Sequence, residues 1–295
     1  QVTGGTPVHE SGLLGMNSDA LWNLNNDIVP GYRALSDAVH AEGGRILAQL
    51  AHSGGTVLIN QPGLESWAAS PVRSEINGNI AHEMTLAEIH EVIDAHAEGA
   101  KRAAAGGMDG VEILGAFGFL PQAFLSPLTN HRTDKYGGAL KNRLRFLMEL
   151  LEAVRGALAR DHVLGVRLPG DEFEPGALDL EQMKTICKQI ADTGLIDYLN
   201  IIAHTNITHL GRSRHWAPTP TRHGIFVHLA GAIREAVNLP VFTVGRIVDP
   251  AHAEHIIAHG QADMVGMTRA HICDPQILSK IRGHLEASSR ICVGA

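Results

Sequence analysis

The stretch TLAEIHEVIDAHAEGAKRAAAGGMDGVEIL, Thr85–Leu114, decides the fold. Thr85 followed by Glu88 spells a capping box, in which the hydroxyl and the carboxylate each satisfy an orphan backbone donor of a starting helix. Leu86, Ile89, Ile93, Ala97 and Ala100 then recur at helical spacing, and Gly106-Gly107 ends the run. Gly110–Leu114 follows as a short apolar run, the pattern of a parallel strand buried on both faces. A helix feeding such a strand is half of a parallel crossover unit.

The same alternation extends in both directions. Further strand candidates are Val2–Gly4, Arg45–Leu50, Val163–Leu168, Tyr198–Ile202, Val241–Val244 and Met264–Met267. Asp179 with Gln182 repeats the capping device, and Asp249-Pro250 and Asp274-Pro275 read as N-cap/N1 pairs, since proline at N1 loses only a donor already unpaired. Alternation without a composition break predicts one α/β domain over residues 1–295, a (β/α)8 TIM barrel. Seven strands are found where closure needs eight, so the first is expected before Gln1. The chain reads as a fragment of a longer protein. It opens on Gln1 with no Met and no charged-then-apolar leader, and closes on Cys292-Val293-Gly294-Ala295. A doubly wound open sheet is the competing architecture, but no G-x-G-x-x-G follows the early strands.

Composition narrows the function classes. Hydrophobic residues make up 44% of the 295 and charged residues 19%, which excludes a disordered chain. No apolar run approaches the roughly 18 residues a membrane span needs. A formal charge of −7 and the lack of a basic stripe argue against a nucleic-acid partner. Three widely spaced cysteines, Cys187, Cys273 and Cys292, make no disulfide framework and fit a cytoplasmic location.

Two segments break the short-loop rule. Ser53–Glu83 is rich in Gly, Pro, Asn and Ser, and Ala203–Arg222 carries His204, His209, His215 and Trp216. Long loops after barrel strands lie on the face where active sites are built. At the last two strands, Val244-Gly245-Arg246 and Gly266-Met267-Thr268-Arg269 combine small residues, a starting helix and two arginines, a phosphate-binding pattern. Tight turns with surface arginines are the plainer reading. Gln49 and Arg167 end apolar strands: an amide there can read a donor–acceptor edge, and a cation can stabilise an anionic ring. Alternatively, Arg167 pairs with Asp171 or Glu172. Among 18 histidines, His255 and His259 stand four apart with no H-E-x-x-H, so no metal site is expected.

Three runs carry a resemblance. They are Gly110–Pro127 (GVEILGAFGFLPQAFLSP), Asn130–Gly138 (NHRTDKYGG) and Asn142–Phe146 (NRLRF). With Gln49-Leu50-Ala51-His52-Ser53-Gly54 and Gly266–Pro275, they resemble the old yellow enzyme family. They are more closely similar to the barrel domain of its larger bacterial members, the 2,4-dienoyl-CoA reductase and trimethylamine dehydrogenase group. The resemblance runs nearly end to end. It implies a TIM barrel holding FMN, with Gln49 on the flavin pyrimidine edge and Arg167 near its N1/O2 edge. Gly245, Arg246, Gly266, Thr268 and Arg269 would surround the phosphate. It also implies a longer protein with an iron–sulfur cluster, for which Cys292 is a candidate ligand, and a domain exchanging electrons with NAD(P)H.

The departures from the family pattern bear on chemistry. Where many members carry His, then His or Asn, then Tyr, this chain has Leu114, Phe117 and Phe119, and Gly55 replaces an Arg. None of the three can polarise a carbonyl or deliver a proton. Two accounts follow. In one, the substrate is an N-methyl or secondary amine that needs no carbonyl activation. In the other, acid–base work has moved to His204, a proton carrier at neutral pH. The expectation is an FMN oxidoreductase acting on a small organic amine or unsaturated carbonyl, with Leu114, Phe117, Phe119 and Trp216 as substrate wall. Self-association is a further expectation. The alternative is a non-catalytic flavin-binding relay or interaction barrel.

Overall fold

The computed structural model describes residues 1–13, 21–56, 65–76, 78, 80–283 and 289–294. In chain order the elements begin β1 (Val2–Pro7), α1 (Val29–Ala41), β2 (Leu47–Ala51), β3 (Trp67–Ala68), β4 (His82–Glu83), α2 (Leu86–Ala105) and β5 (Gly110–Leu114). They continue with α3 (Leu120–Leu125), α4 (Leu140–Ala157), β6 (Val163–Pro169), α5 (Leu180–Ala191), β7 (Tyr198–Ile202) and α6 (His209–His215). The last are α7 (Val227–Ala236), β8 (Val241–Thr243), α8 (Pro250–Ala258), β9 (Met264–Val265), α9 (Thr268–Cys273) and α10 (Ile277–Arg282).

All seven expected strands form, and they pair in parallel in the order β1-β2-β5-β6-β7-β8-β9. The order never reverses. A doubly wound sheet must reverse at its switch point, so the progression is that of a (β/α) barrel. β3 and β4 form a separate two-stranded pair within the expected Ser53–Glu83 loop. Every residue of β2, β5 and β7 is buried, which explains their near-continuous apolar sequences.

The capping signals at Thr85/Glu88 and Asp179/Gln182 form complete boxes, and Asp249 caps α8 ahead of Pro250. Asp274 departs from expectation. It closes α9, and α10 begins only at Ile277. Its carboxylate is drawn off by Lys280 at 2.6 Å and by the Arg290 amide at 3.0 Å, besides the Gln276 amide. The Ala203–Arg222 segment is likewise not all loop, for Thr208 caps α6 within it.

The Asn130–Gly138 run is a structural clasp. Arg132 donates to the carbonyls of Ala69 (3.1 Å) and Met84 (2.7 Å) and pairs with Asp134 at 2.6 Å. Asn130 donates to the carbonyls of Phe124 and Tyr136. A Cβ on Gly137 would lie 2.0 Å from the Arg132 carbonyl oxygen, so only glycine fits. The clasp ties the segment after α3 to the β3–β4 region, while Phe124 stacks on Phe146 of α4 at 4.3 Å.

Candidate functional site

Alternate residues of a strand share a face, and register brings neighbouring strands' residues level. Gln49 on β2 pairs with Glu112 on β5, and Arg167 on β6 pairs with Asn200 on β7. The result is two adjacent polar layers, Gln49 with Glu112 and Tyr198, then Arg167 with Asn200, inside an otherwise apolar sheet. Glu112 is fully buried and accepts from Gln49 Nε2 at 2.6 Å, Tyr198 Oη at 2.9 Å and Asn200 Nδ2 at 2.9 Å. Burial and the Glu112 charge both push the Tyr198 phenol up from its usual range, so it serves only as a donor. Arg167 pairs with neither Asp171 nor Glu172. Its guanidinium lies over the Phe117 ring, 5.1 Å from the centroid.

A cleft of about 1390 Å³ runs along these layers, lined by Gln49, Arg167, Tyr198, Asn200, Gly266 and Thr268 among others. Arg167 Nε, Asn200 Oδ1, Thr243 Oγ1 and Arg246 Nε are buried polar atoms without a partner among the described residues. Such atoms are costly to leave unpaired, and two of them, Arg167 Nε and Asn200 Oδ1, belong to residues that are level in register and line the cleft, which marks a place for a polar ligand.

Arg246 and Arg269 follow the ends of β8 and β9. Arg246 donates to the carbonyls of Thr221 and Val293, and Arg269 to that of Ala217 at 3.1 Å. Neither pairs with a carboxylate among the described residues. Both come within 4 Å of where a Cβ on Gly294 would sit, so two cations share one corner. Gly245 has a φ of 122°, and a Cβ there would meet Phe226 at 2.6 Å. Gly266 is equally restricted, with Val244 Cγ1 only 2.7 Å from its would-be Cβ. Cys292 is a free thiol beside Val293, whose carbonyl also accepts from Thr219 at 2.8 Å.

Leu114 and Phe119 are buried, and Phe117 meets Phe119 edge-on at 6.0 Å. The second contact of Phe117 is His215 at 5.0 Å, a residue not expected in the wall. Trp216 packs on His215 at 4.3 Å and is 59% exposed. His204 lies between the rings of Phe173 (4.9 Å) and Phe226 (5.7 Å). Burial lowers its pKa to about 4, with Arg214 adding repulsion, so it stays neutral at pH 7. The expected proton carrier at neutral pH is therefore not what this environment provides. His215 is held neutral in the same way, at about 4.

Phe117, Phe173, His204 and Arg246 all have positive φ, at 64°, 53°, 70° and 53°. They follow β5, β6, β7 and β8 in turn, so strained backbone recurs around one rim. Two buried side chains hold that rim. Gln122 accepts from the Gly118 amide at 2.7 Å and donates to Glu172 at 2.6 Å, and Glu172 also accepts from Ser126 at 2.6 Å and the Leu178 amide at 2.8 Å. Glu112, Tyr198, Asn200 and Gln122 escaped sequence reasoning, and Glu172 was considered only as a partner for Arg167. Polar residues within the apolar runs Gly110–Leu114 and Tyr198–Ile202 were the available signal for the first three.

The chain's residues 2–288 match the model of the NADH:flavin oxidoreductase / NADH oxidase family. It is 36% identical over 282 residues to the N,N-dimethylglycine/sarcosine dehydrogenase of Chromohalobacter salexigens, covering 92% of this chain and 40% of that protein. It is 41% identical over 271 residues to the probable N-methylproline demethylase of Rhizobium meliloti, again with 92% and 40% covered. The chain thus spans about two fifths of the length of these relatives. Among solved structures, a 2-naphthoyl-CoA reductase complex superposes with a TM-score of 0.92 at 29% identity, over 99% of this chain and 46% of that one.

Proposed function

The chain belongs to the NADH:flavin oxidoreductase / NADH oxidase family, whose cofactor is FMN, and from that premise we propose that it is the flavin-holding domain of a longer oxidoreductase that oxidises N-methyl or secondary amines. The donor set suits FMN. Unpartnered Arg167 Nε and Asn200 Oδ1 lie by the cleft with Gln49, and the Arg246–Arg269 corner, with Gly245, Gly266 and Thr268 beside it, offers charge to a phosphate. When bound, FMN supplies a hydride acceptor.

The observation that carries the amine reading is the wall. Leu114, Phe117 and Phe119 present no donor toward a substrate carbonyl. An amine needs no such donor. Its nitrogen lone pair forms the C=N bond as hydride leaves the adjacent carbon, and water later releases the aldehyde. For that the amine must be unprotonated. Apolar rings and the Arg167 cation disfavour the ammonium form, so this chain's residues prepare the neutral one. The two relatives bearing dehydrogenase and demethylase names at 36% and 41% identity support the same class. Electron exchange with NAD(P)H, and a cluster to which Cys292 contributes, complete the proposal for the longer protein. Three free cysteines are in keeping with a reducing cytoplasm. Among the described residues no helix is long and apolar enough to cross a membrane.

Anaerobic mixing of the full-length protein with N-methyl amines should bleach the flavin absorbance, while an enone added to the pre-reduced protein should restore it poorly. Rapid reoxidation by enones with no bleaching by any N-methyl or secondary amine would overturn the substrate class. A folded protein that takes up no FMN would overturn the whole reading.

A further inference from the structure

Glu112 is a carboxylate enclosed by the sheet, with no solvent exposure. Oε1 receives Gln49, and Oε2 receives both Tyr198 and Asn200. All three partners donate and none accepts, which is the environment of an ionised carboxylate. Two consequences follow from chemistry alone. Facing a carboxylate, the Gln49 amide must turn its NH2 end inward, which leaves its oxygen for the ligand. The negative charge also stands one step along the register from half-buried Arg167, since Asn200, level with Arg167, donates to Glu112. Among the described residues Arg167 makes no ion pair within bonding distance, so the two charges act on each other through space. Burial lowers the affinity of Arg167 for its proton, and Glu112 is the chief opposing influence. In a low-dielectric interior such an interaction is far stronger than at a surface.

We propose that Glu112 is a positioning residue that acts as a buried counter-charge to Arg167, setting the reduction potential of the bound flavin below the value Arg167 alone would give. The inference rests on the FMN reading. A cation beside the flavin stabilises the negative charge gained on reduction, and a fixed anion in the adjacent layer subtracts from that effect. The device is adjustable. Tyr198 and Asn200 disperse the carboxylate's charge, and less dispersal means a stronger counter-charge.

The test is a redox titration of FMN in the full-length protein. Glu112→Gln preserves the side-chain shape, and Asn200 can reverse its amide to match, because its Oδ1 is otherwise unpartnered. The midpoint potential should rise in Glu112→Gln, fall in Arg167→Met, and return toward the parent value in the double variant. A merely structural role would not give opposite signs that cancel. Tyr198→Phe provides a second reading if Glu112→Gln fails to fold: losing that donor concentrates the charge, and the potential should fall. FMN-loaded Glu112→Gln with an unmoved or lowered potential overturns the inference and leaves the functional reading standing. So does an unmoved or raised potential in Tyr198→Phe. A parent protein that binds no FMN overturns both.

Discussion

Burial among Phe173, Phe226 and the neighbouring backbone keeps the His204 imidazole neutral until the pH falls to about 4. Its backbone is committed as well. The amide donates to the Asp171 carbonyl at 2.9 Å, and the φ of 70° fixes the turn. Such a residue shapes a wall and does not shuttle protons at pH 7. Replacing it with alanine should therefore leave every inflection of the flavin-reduction rate between pH 6 and 8 in place, although the rate itself falls as the wall loosens. Stopped-flow reduction of the full-length protein measures this directly, and an inflection that disappears in His204→Ala would restore the proton-carrier role. Arg167 differs in kind, because its charge cannot be titrated away and only its surroundings can modulate it.

Among the elements, the clasp at Asn130–Gly138 gives the sharpest contrast between two glycines. Gly137→Ala forces a methyl into the Arg132 carbonyl and should destabilise the fold by about 1–3 kcal/mol in urea unfolding. Gly156→Ala, within α4 and with nothing inside 4 Å of the new Cβ, should stabilise by roughly 0.5–1 kcal/mol. Equal effects at the two positions would mean that the clasp does not constrain the chain. The strands and most caps were legible beforehand because their signals are local: apolar runs, Thr85 with Glu88, Asp179 with Gln182. Asp274-Pro275 carried the same local signal and misled, because Lys280 and the Arg290 amide compete for that carboxylate from later in the chain. The Glu112 layer and the Gln122–Glu172 tie were illegible for a related reason. Their partners lie 50 to 88 residues away: parallel register gathers the Glu112 cluster, and the segments following β5 and β6 bring Gln122 to Glu172. The place of His215 was missed because a loop reading does not see α6, which puts that ring against Phe117.

At the scale of the whole molecule, His96, His204 and His215 each titrate near 4 when folded, with burial the leading cause in all three. Their folded values lie below the ordinary 6.5, so the unfolded chain binds more protons between about pH 6.5 and pH 4. Stability should be fully present above that window and decline as the pH falls through it. Fully buried His96 alone contributes roughly 2 kcal/mol of the loss at pH 5. Urea midpoints at pH 7 and pH 5 should therefore differ less in His96→Leu than in the parent, and an equal difference would discard the account. The left-handed residues around the rim have another consequence, one that concerns breeding the protein rather than assaying it. Each of Phe117, Phe173, His204 and Arg246 sits in a conformation that L-residues adopt at a cost of about 1–2 kcal/mol. A laboratory lineage selected for heat tolerance alone would find its easiest gains at these four positions, and would trade away that rim before any strand of the scaffold had changed.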